Sequence, residues 1–329
     1  MSDTLPSLHR KIERARDLRS VVSTMKGLAA ASINQFERST RALDEYYRTV
    51  QLGLSVCLRA NTSAESISMA EPEAKRVTGL TGAIVFGSDQ GLVGQFNEAI
   101  SEYAVQALSA MPGRKRIWVV GERLQDHLPA TVLPLAGLFA VPSSVNAITQ
   151  LVGQILIEIL AGRESYRQTR EHEESRQGGW QDDQWENQRE SVQQLYLFYN
   201  SSRSGPIYGP VSQRLLPLDA AWRRSMVRIL WPTKKLPEVL GGSVKTVQAL
   251  IREYLFVSLF RACAESLASE NASRLAAMER AERNIDQLRE DLQKAFHRLR
   301  QSKIDEELFD VISGVEALGG GQQAKHRGD

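Results

Sequence analysis

One stretch limits what this chain can become. From Gly242 to about Leu318 there is no proline, and from Ser243 to Ser313 no glycine. Leu267, Asn271, Arg274, Met278, Ala281, Ile285, Leu288, Leu292, Ala295 and Leu299 recur at alternating spacings of four and three. That is the 3.5-residue repeat of a coiled-coil seam. Charged residues such as Glu279, Arg280, Arg283, Asp286, Arg289 and Glu290 fill the positions between. The spacing predicts one uncapped helix on the order of 110 Å long at ~1.5 Å per residue, too long for an ordinary amphipathic helix lying on a small core.

A coiled coil needs a partner strand, and the first sixty residues supply one. Leu8, Ile12, Ala15, Leu18, Val22, Met25, Ala29, Ile33 and Phe36 keep the same rhythm, and no proline occurs between Pro6 and Pro72. A homodimeric pairing is one solution. The simpler one pairs the two ends of the chain with each other, antiparallel and supercoiled to the left, with the middle inserted between them. That middle alternates strand-like and helix-like runs. Strands are expected at Thr81–Gly87, Arg116–Val120, Thr131–Leu135, Val192–Asn200 and Arg214–Leu218. Helices are expected at Glu98–Met111, Glu122–Leu128 and Val145–Leu160, the last capped by Ser143 or Ser144. Such alternation makes a mostly parallel sheet with helices on its faces. The expected fold class is therefore α/β: a long antiparallel coiled coil of the N- and C-terminal helices (1–60 and 242–318) carrying an inserted Rossmann-like domain (80–230). Residues 60–79 read as a polar linker. Residues 163–190 read as a charged insertion too poor in aliphatics to fold alone, with Trp180 and Trp185 either packing on the parent domain or docking a partner.

Nothing in the chain forms a recognisable reaction centre. Gly87-Ser88-Asp89-Gln90-Gly91-Leu92-Val93-Gly94 follows a strand, as a phosphate-cradling loop does. It is not G-x-G-x-x-G, and no Lys-Ser or Lys-Thr follows, so a tight strand-to-helix turn is the reading preferred. His9, His127, His172, His297 and His326 are scattered, and Cys57 and Cys263 fit no metal or redox spacing. Neither catalytic residues nor cofactor or metal sites are expected. A formal net charge of +2 argues against nucleic acid as a partner. No apolar run reaches the ~20 residues of a membrane-spanning helix, and the N-terminus lacks an apolar signal region. On residues alone the chain is a mechanical or scaffolding element, a plain coiled-coil scaffold included.

Several stretches resemble the gamma subunit of rotary F-type ATP synthases. They are RKIERARDLRSVVSTMKGLAAASI (Arg10–Ile33), GSDQGLVGQFN (Gly87–Asn97), VQQLYLFYN (Val192–Asn200), SLFRACAESLASENASRLAAMERAERN (Ser258–Asn284) and LRQSKIDEELFDVISGVEAL (Leu299–Leu318). The resemblance covers nearly the whole chain. It implies the central rotor shaft, present in one copy per complex and without a catalytic site of its own. Its paired helices would sit inside a ring of alpha and beta subunits. Its α/β domain would rest on the epsilon subunit and the membrane c-type ring. Rotation would couple proton or sodium movement to ATP synthesis or hydrolysis. The expected location is peripheral, on the cytoplasmic face of a bacterial plasma membrane.

The same resemblance implies partner-contact residues. Met25 matches a methionine of the first helix and Arg274 the arginine facing it, which sets the numbers of facing residues to total near 299 and places Phe36 opposite Cys263. Arg300 and Gln301 match a pair that touches a beta-subunit loop, with Asp305 and Glu307 just beyond. There are departures too: the charged insertion, the smaller Gly27, Ser32 and Asn34 in the first helix, and Gly87 and Gln95 in the strand-turn motif. They point to a divergent branch such as the N-type ATPases.

Overall fold

In the computed structural model, α1 (Leu5–Ala60) and α6 (Ser243–Gln323) are single uninterrupted helices at the two ends of the chain. The structure describes residues 4–60, 80–129, 133–173, 192–202, 208–218, 220–238 and 243–323. The linker between α1 and the first strand, the Trp180 and Trp185 region and the C-terminal tail lie outside those residues. The chain divides into two compact units. One joins residues 1–28 to 276–329, and the other spans 29–275.

The first unit is a helix hairpin. Ala15 and Val22 of α1 and Met278 and Ile285 of α6 form its buried core, with Met25, Ala277 and Ala281 packed against it. Low residue numbers face high ones, so the two segments are antiparallel. Arg19 is 2.7 Å from Asp286, Lys26 is 2.6 Å from Glu282, and the rings of His9 and Phe296 lie 6.4 Å apart.

In the second unit a five-stranded sheet is built from β1 (Thr81–Phe86), β2 (Lys115–Val120), β3 (Leu135–Phe139), β4 (Gln194–Ser202) and β5 (Tyr208–Leu216), in the order β3-β2-β1-β4-β5. β1 pairs in parallel with β2 and β4, and β2 with β3. Only β5 is antiparallel, along β4. β1 is buried at every residue, which is why TGAIVF reads as an unbroken apolar run rather than an alternating one. Ala83 and Val85 face α2 (Phe96–Ser109) through Ile100, Ala104 and Leu108. Ile84 and Phe86 face the larger core, with Ile148, Val152 and Ile155 of α4 (Val145–Glu173). Phe36, Val50, Leu54 and Cys57 of α1 belong to that core, as do Val247, Leu255, Leu259, Phe260 and Cys263 of α6.

Boundaries moved where proline or an edge decided them. The third strand is Leu135–Phe139, beginning after Pro134, which cannot donate to the ladder; Thr131, where it was expected to start, lies outside the described residues. The Pro134 carbonyl accepts from Ile117 N–H, and the strand proper follows. The fifth strand is Tyr208–Leu216, earlier than Arg214–Leu218, and stops ahead of Pro217. α4 starts as expected, with the Ala147 N–H donating to Ser144 Oγ, but continues through the charged residues as far as Glu173. Two short helices complete the unit: α3 (Glu122–Gln125), and α5 (Ala220–Arg228), which the sequence reading did not contain. Gly27 and Gly53 do not break α1. A Cβ on Gly53 would stand 3.2 Å from Leu250 Cδ1, so glycine there lets α1 and α6 approach closely.

Candidate functional site

The glycine-bearing turn after β1 is tied down by its own side chains. Asp89 supplies its own carboxylate to the strand ends: Oδ1 accepts from Glu122 N–H at 2.9 Å and Oδ2 from Val141 N–H at 2.8 Å. Beside it, Ser88 N–H donates to Asn97 Oδ1, Asn97 Nδ2 donates to Ser88 Oγ, and Ser88 Oγ donates to Gln90 O. One acidic side chain thus ties the ends of β1, β2 and β3, and the motif GSDQGLVGQFN gains a physical reason for its residues. Gly121 sits in the same crossing at φ +111°, and a Cβ there would meet the Ser88 backbone N at 2.7 Å.

α6 docks on this turn. Ser273 Oγ donates to Val93 O, and the Tyr208 hydroxyl lies 2.9 Å from Ser273 Oγ. One turn away, Arg274 Nη2 donates to Glu270 Oε1 at 2.6 Å and Nη1 to Asn271 Oδ1 at 3.2 Å. The Arg274 and Glu270 side chains are only 12% and 6% exposed. Burial, with Asp89 adding to it, pushes the Glu270 carboxyl above its ordinary range, while Arg274 pulls it back. The i,i+4 spacing of Glu270 and Arg274 is visible in the sequence; its burial is not.

Met25 lies in the other unit, half-buried against the Ala15–Val22–Met278–Ile285 core. Facing numbers there total 305 for Arg19–Asp286 and His9–Phe296, and 308 for Lys26–Glu282. Arg19 also lies 3.6 Å from Glu282, a total of 301, and the buried residues Ala15 with Ile285 and Val22 with Met278 total 300, so the long charged side chains reach diagonally across a seam whose buried layers stay near 299. In the second unit the totals are 299 for Tyr46–Glu253, 301 for Tyr47–Tyr254 and 305 for Asp44–Arg261. The Arg19 guanidinium, hydrogen-bonded to Asp286, holds that carboxyl below its ordinary value. The Arg19–Asp286 and Lys26–Glu282 ion pairs are only partly buried, and each contributes little on its own.

Arg300, Gln301, Asp305 and Glu307 are all exposed. With totals of 300 to 308, Leu5 at the start of α1 falls opposite positions 295 to 303, and beyond these α6 has no partner strand among the described residues of its unit. Every residue from 300 to 315 is exposed. Among them Ile304, Leu308, Val311, Ile312 and Val315 follow the i, i+4, i+7, i+8, i+11 spacing of one helix face, and are 52, 56, 63, 44 and 64% exposed. A contiguous apolar face of this kind marks an interaction surface. Among the described residues there is no cluster of metal-ligating side chains, and no helix is long and apolar enough to cross a membrane.

Comparison with known proteins gives one answer. The family model described as ATP synthase matches residues 4–318. The ATP synthase gamma chain of Brevibacillus brevis is 25% identical over 324 residues, covering 96% of this chain and 99% of that protein. The gamma chain of Syntrophus aciditrophicus is 25% identical over 325 residues, with the same coverage. Among solved structures, a chain of the Euglena gracilis mitochondrial ATP synthase OSCP/F1/c-ring assembly superposes with a TM-score of 0.61 at 16% identity, covering 97% of this chain and 95% of that one. A chain of the rotor of the same enzyme gives 0.55 at 15% identity, with 91% and 98% covered. With a helix at each end, a mixed sheet between and a match along almost its whole length, the chain belongs to the ATP synthase gamma-chain family.

Proposed function

We propose that this chain is the central rotor shaft of an F-type ATP synthase, without a catalytic site of its own. It couples proton or sodium movement through a membrane ring to ATP synthesis or hydrolysis at the beta subunits by rotating. The observation that carries this reading is the far end of α6, which extends past the start of α1 as a bare helix with an apolar face at Ile304, Leu308, Val311, Ile312 and Val315. A helix end of that kind suits an apolar sleeve that grips by packing and lets the shaft turn, without ion pairs to lock it. The hairpin below it is unbroken by proline, so torque applied to the α/β domain passes along two continuous helices.

In this reading one copy of the chain stands inside alternating alpha and beta subunits. The α/β domain meets the epsilon subunit and the c-type ring, peripheral to the cytoplasmic face of a bacterial plasma membrane. Arg300 and Gln301, with Asp305 and Glu307 beyond them, offer donors and acceptors to a beta-subunit loop. Met25 and Arg274 bear on the same shaft. The test is rotation. The chain is assembled with alpha and beta subunits, the head is immobilised, and a bead is attached at exposed Glu98 through Glu98→Cys. ATP should drive rotation in one direction. ATP hydrolysis by the assembled complex with a stationary bead, or failure to assemble, overturns the reading.

A further inference from the structure

We propose that Glu265 is the positioning residue that fixes the angle of α6 against the sheet, and so a point at which torque passes between the helices and the α/β domain. The proposal rests on the shaft reading and deepens it. A shaft has to resist turning, and the two kinds of contact along α6 differ in that respect. Apolar side chains such as Leu255, Leu259, Cys263 and Leu267 hold α6 in the larger core without prescribing a direction. Hydrogen bonds and ion pairs have preferred distances and angles, so they oppose a helix that rolls or slides.

The Glu265 carboxylate is divided between two elements. Oε1 accepts from Arg261 Nε at 2.7 Å, and Oε2 accepts from the Ser201 hydroxyl of β4, also at 2.7 Å. Arg261 in turn lies 3.2 Å from Asp44 of α1. One acidic side chain thus joins α1, α6 and the carboxyl end of β4. The Glu265 side chain is 16% exposed, against 40% for Arg261 and 52% for Asp44. Water therefore competes with the outer ion pair far more than with the Ser201 bond. Further along α6, Ser273 Oγ donates to Val93 O in the turn after β1, beside the Tyr208 hydroxyl. Both ties fall at the carboxyl ends of the strands, and from Glu265 to Ser273 is about 12 Å along the helix at ~1.5 Å per residue. A single tie lets a helix pivot. Two ties so spaced set its direction as well as its position.

The test is torsional stiffness. The chain carrying Glu98→Cys is assembled with alpha and beta subunits, the head is immobilised, a bead is attached to the α/β domain, and ATP is withheld so that the shaft rests. The thermal swing of the bead then reads how stiffly the domain is joined to the helices. Glu265→Ala and, separately, Ser201→Ala should each widen the angular variance about 1.5-fold or more, because one of two charge-assisted or hydrogen-bonded ties is lost. Helix content of the free chain and ATP hydrolysis without a bead should stay at the level of the unaltered chain. Ser201→Ala removes only a hydroxyl and leaves the Arg261 pair in place, so it carries the test if Glu265→Ala fails to fold. Asp89→Ala is the control: it loosens the strand ends from one another but leaves both ties of α6, and should not change the variance. An unchanged variance in Ser201→Ala overturns the proposal. Equal widening by Asp89→Ala overturns it too, because the effect would then be general softening of the domain. A complex with the unaltered Glu265 and Ser201 whose bead never turns when ATP is supplied sinks the shaft reading instead, so the two failures are told apart.

Discussion

The buried pair Glu270–Arg274 allows a prediction that separates a structural role for Arg274 from a partner-contact one. At an effective dielectric near 20, unit charges about 4 Å apart attract by roughly 4 kcal/mol. Against this stands the cost of taking both groups out of water, at 6% and 12% side-chain exposure. The raised Glu270 carboxyl shows which side wins for the acid: burial, reinforced by Asp89, exceeds what Arg274 returns. The two halves of the pair should therefore be unequal. Glu270→Gln keeps an oxygen acceptor for Arg274, leaves Asn271 Oδ1 in place and removes the charge that burial opposes; it should cost about 1 kcal/mol, one ordinary hydrogen-bond difference. Arg274→Met leaves a buried carboxylate with no cation and should cost about 3 to 5 kcal/mol at pH 7.5. On a unit of this size that is on the order of 10 °C in Tm. The Arg274→Met deficit should also depend on pH. Without Arg274 the folded carboxyl lies further above its unfolded value near 4.3. Its protonated form then supports the fold fully below that value, and the support is lost as pH rises through the folded pKa. The deficit should accordingly shrink between pH 7.5 and pH 5. Thermal melts of the full chain and both variants at the two pH values measure this. A Glu270→Gln loss as large as that of Arg274→Met, or an Arg274→Met deficit that does not change with pH, would refute the reasoning.

Asp89→Ala removes both acceptors that tie Glu122 N–H and Val141 N–H, and should lower stability by about 2 kcal/mol with no change in assembly if the turn is purely structural; denaturant melts measure it. Arg300 is exposed, so Arg300→Ala should leave the helix content of the free chain unchanged while lowering ATP turnover in complexes with alpha and beta subunits. Unchanged turnover in assembled complexes would remove Arg300 from the contact surface.

The helices and the sheet were legible because each advertises itself through its own side-chain period. What was not legible depended on a second element. Leu18 and Leu288 sit on the expected seam, yet are 52% and 51% exposed. On α1 as far as residue 50 the buried positions are Leu8, Ala15, Val22, Ala29, Phe36 and Val50, a sevenfold spacing in which only the half-buried Leu43 is skipped, with the intervening seam positions left half open. A one-strand pattern names the stripe, but which half of it is covered is decided by the facing helix. The totals of 305 and 308 for charged pairs of the first unit, against 300 for its buried residues, have the same origin: long side chains reach diagonally across the seam, and a one-strand pattern does not say to which partner. β3 and β5 are edge strands, where a single neighbour sets the ends, and both were misplaced by several residues. Where α1 begins bears directly on function, because it decides which residues of α6 lie beyond the hairpin. The apolar face at Ile304, Leu308, Val311, Ile312 and Val315 emerges as an exposed surface only once the two strands are paired. In the sequence those five residues look like more seam. In the structure they form a helix face that the described residues leave exposed, the face on which the proposed shaft reading draws.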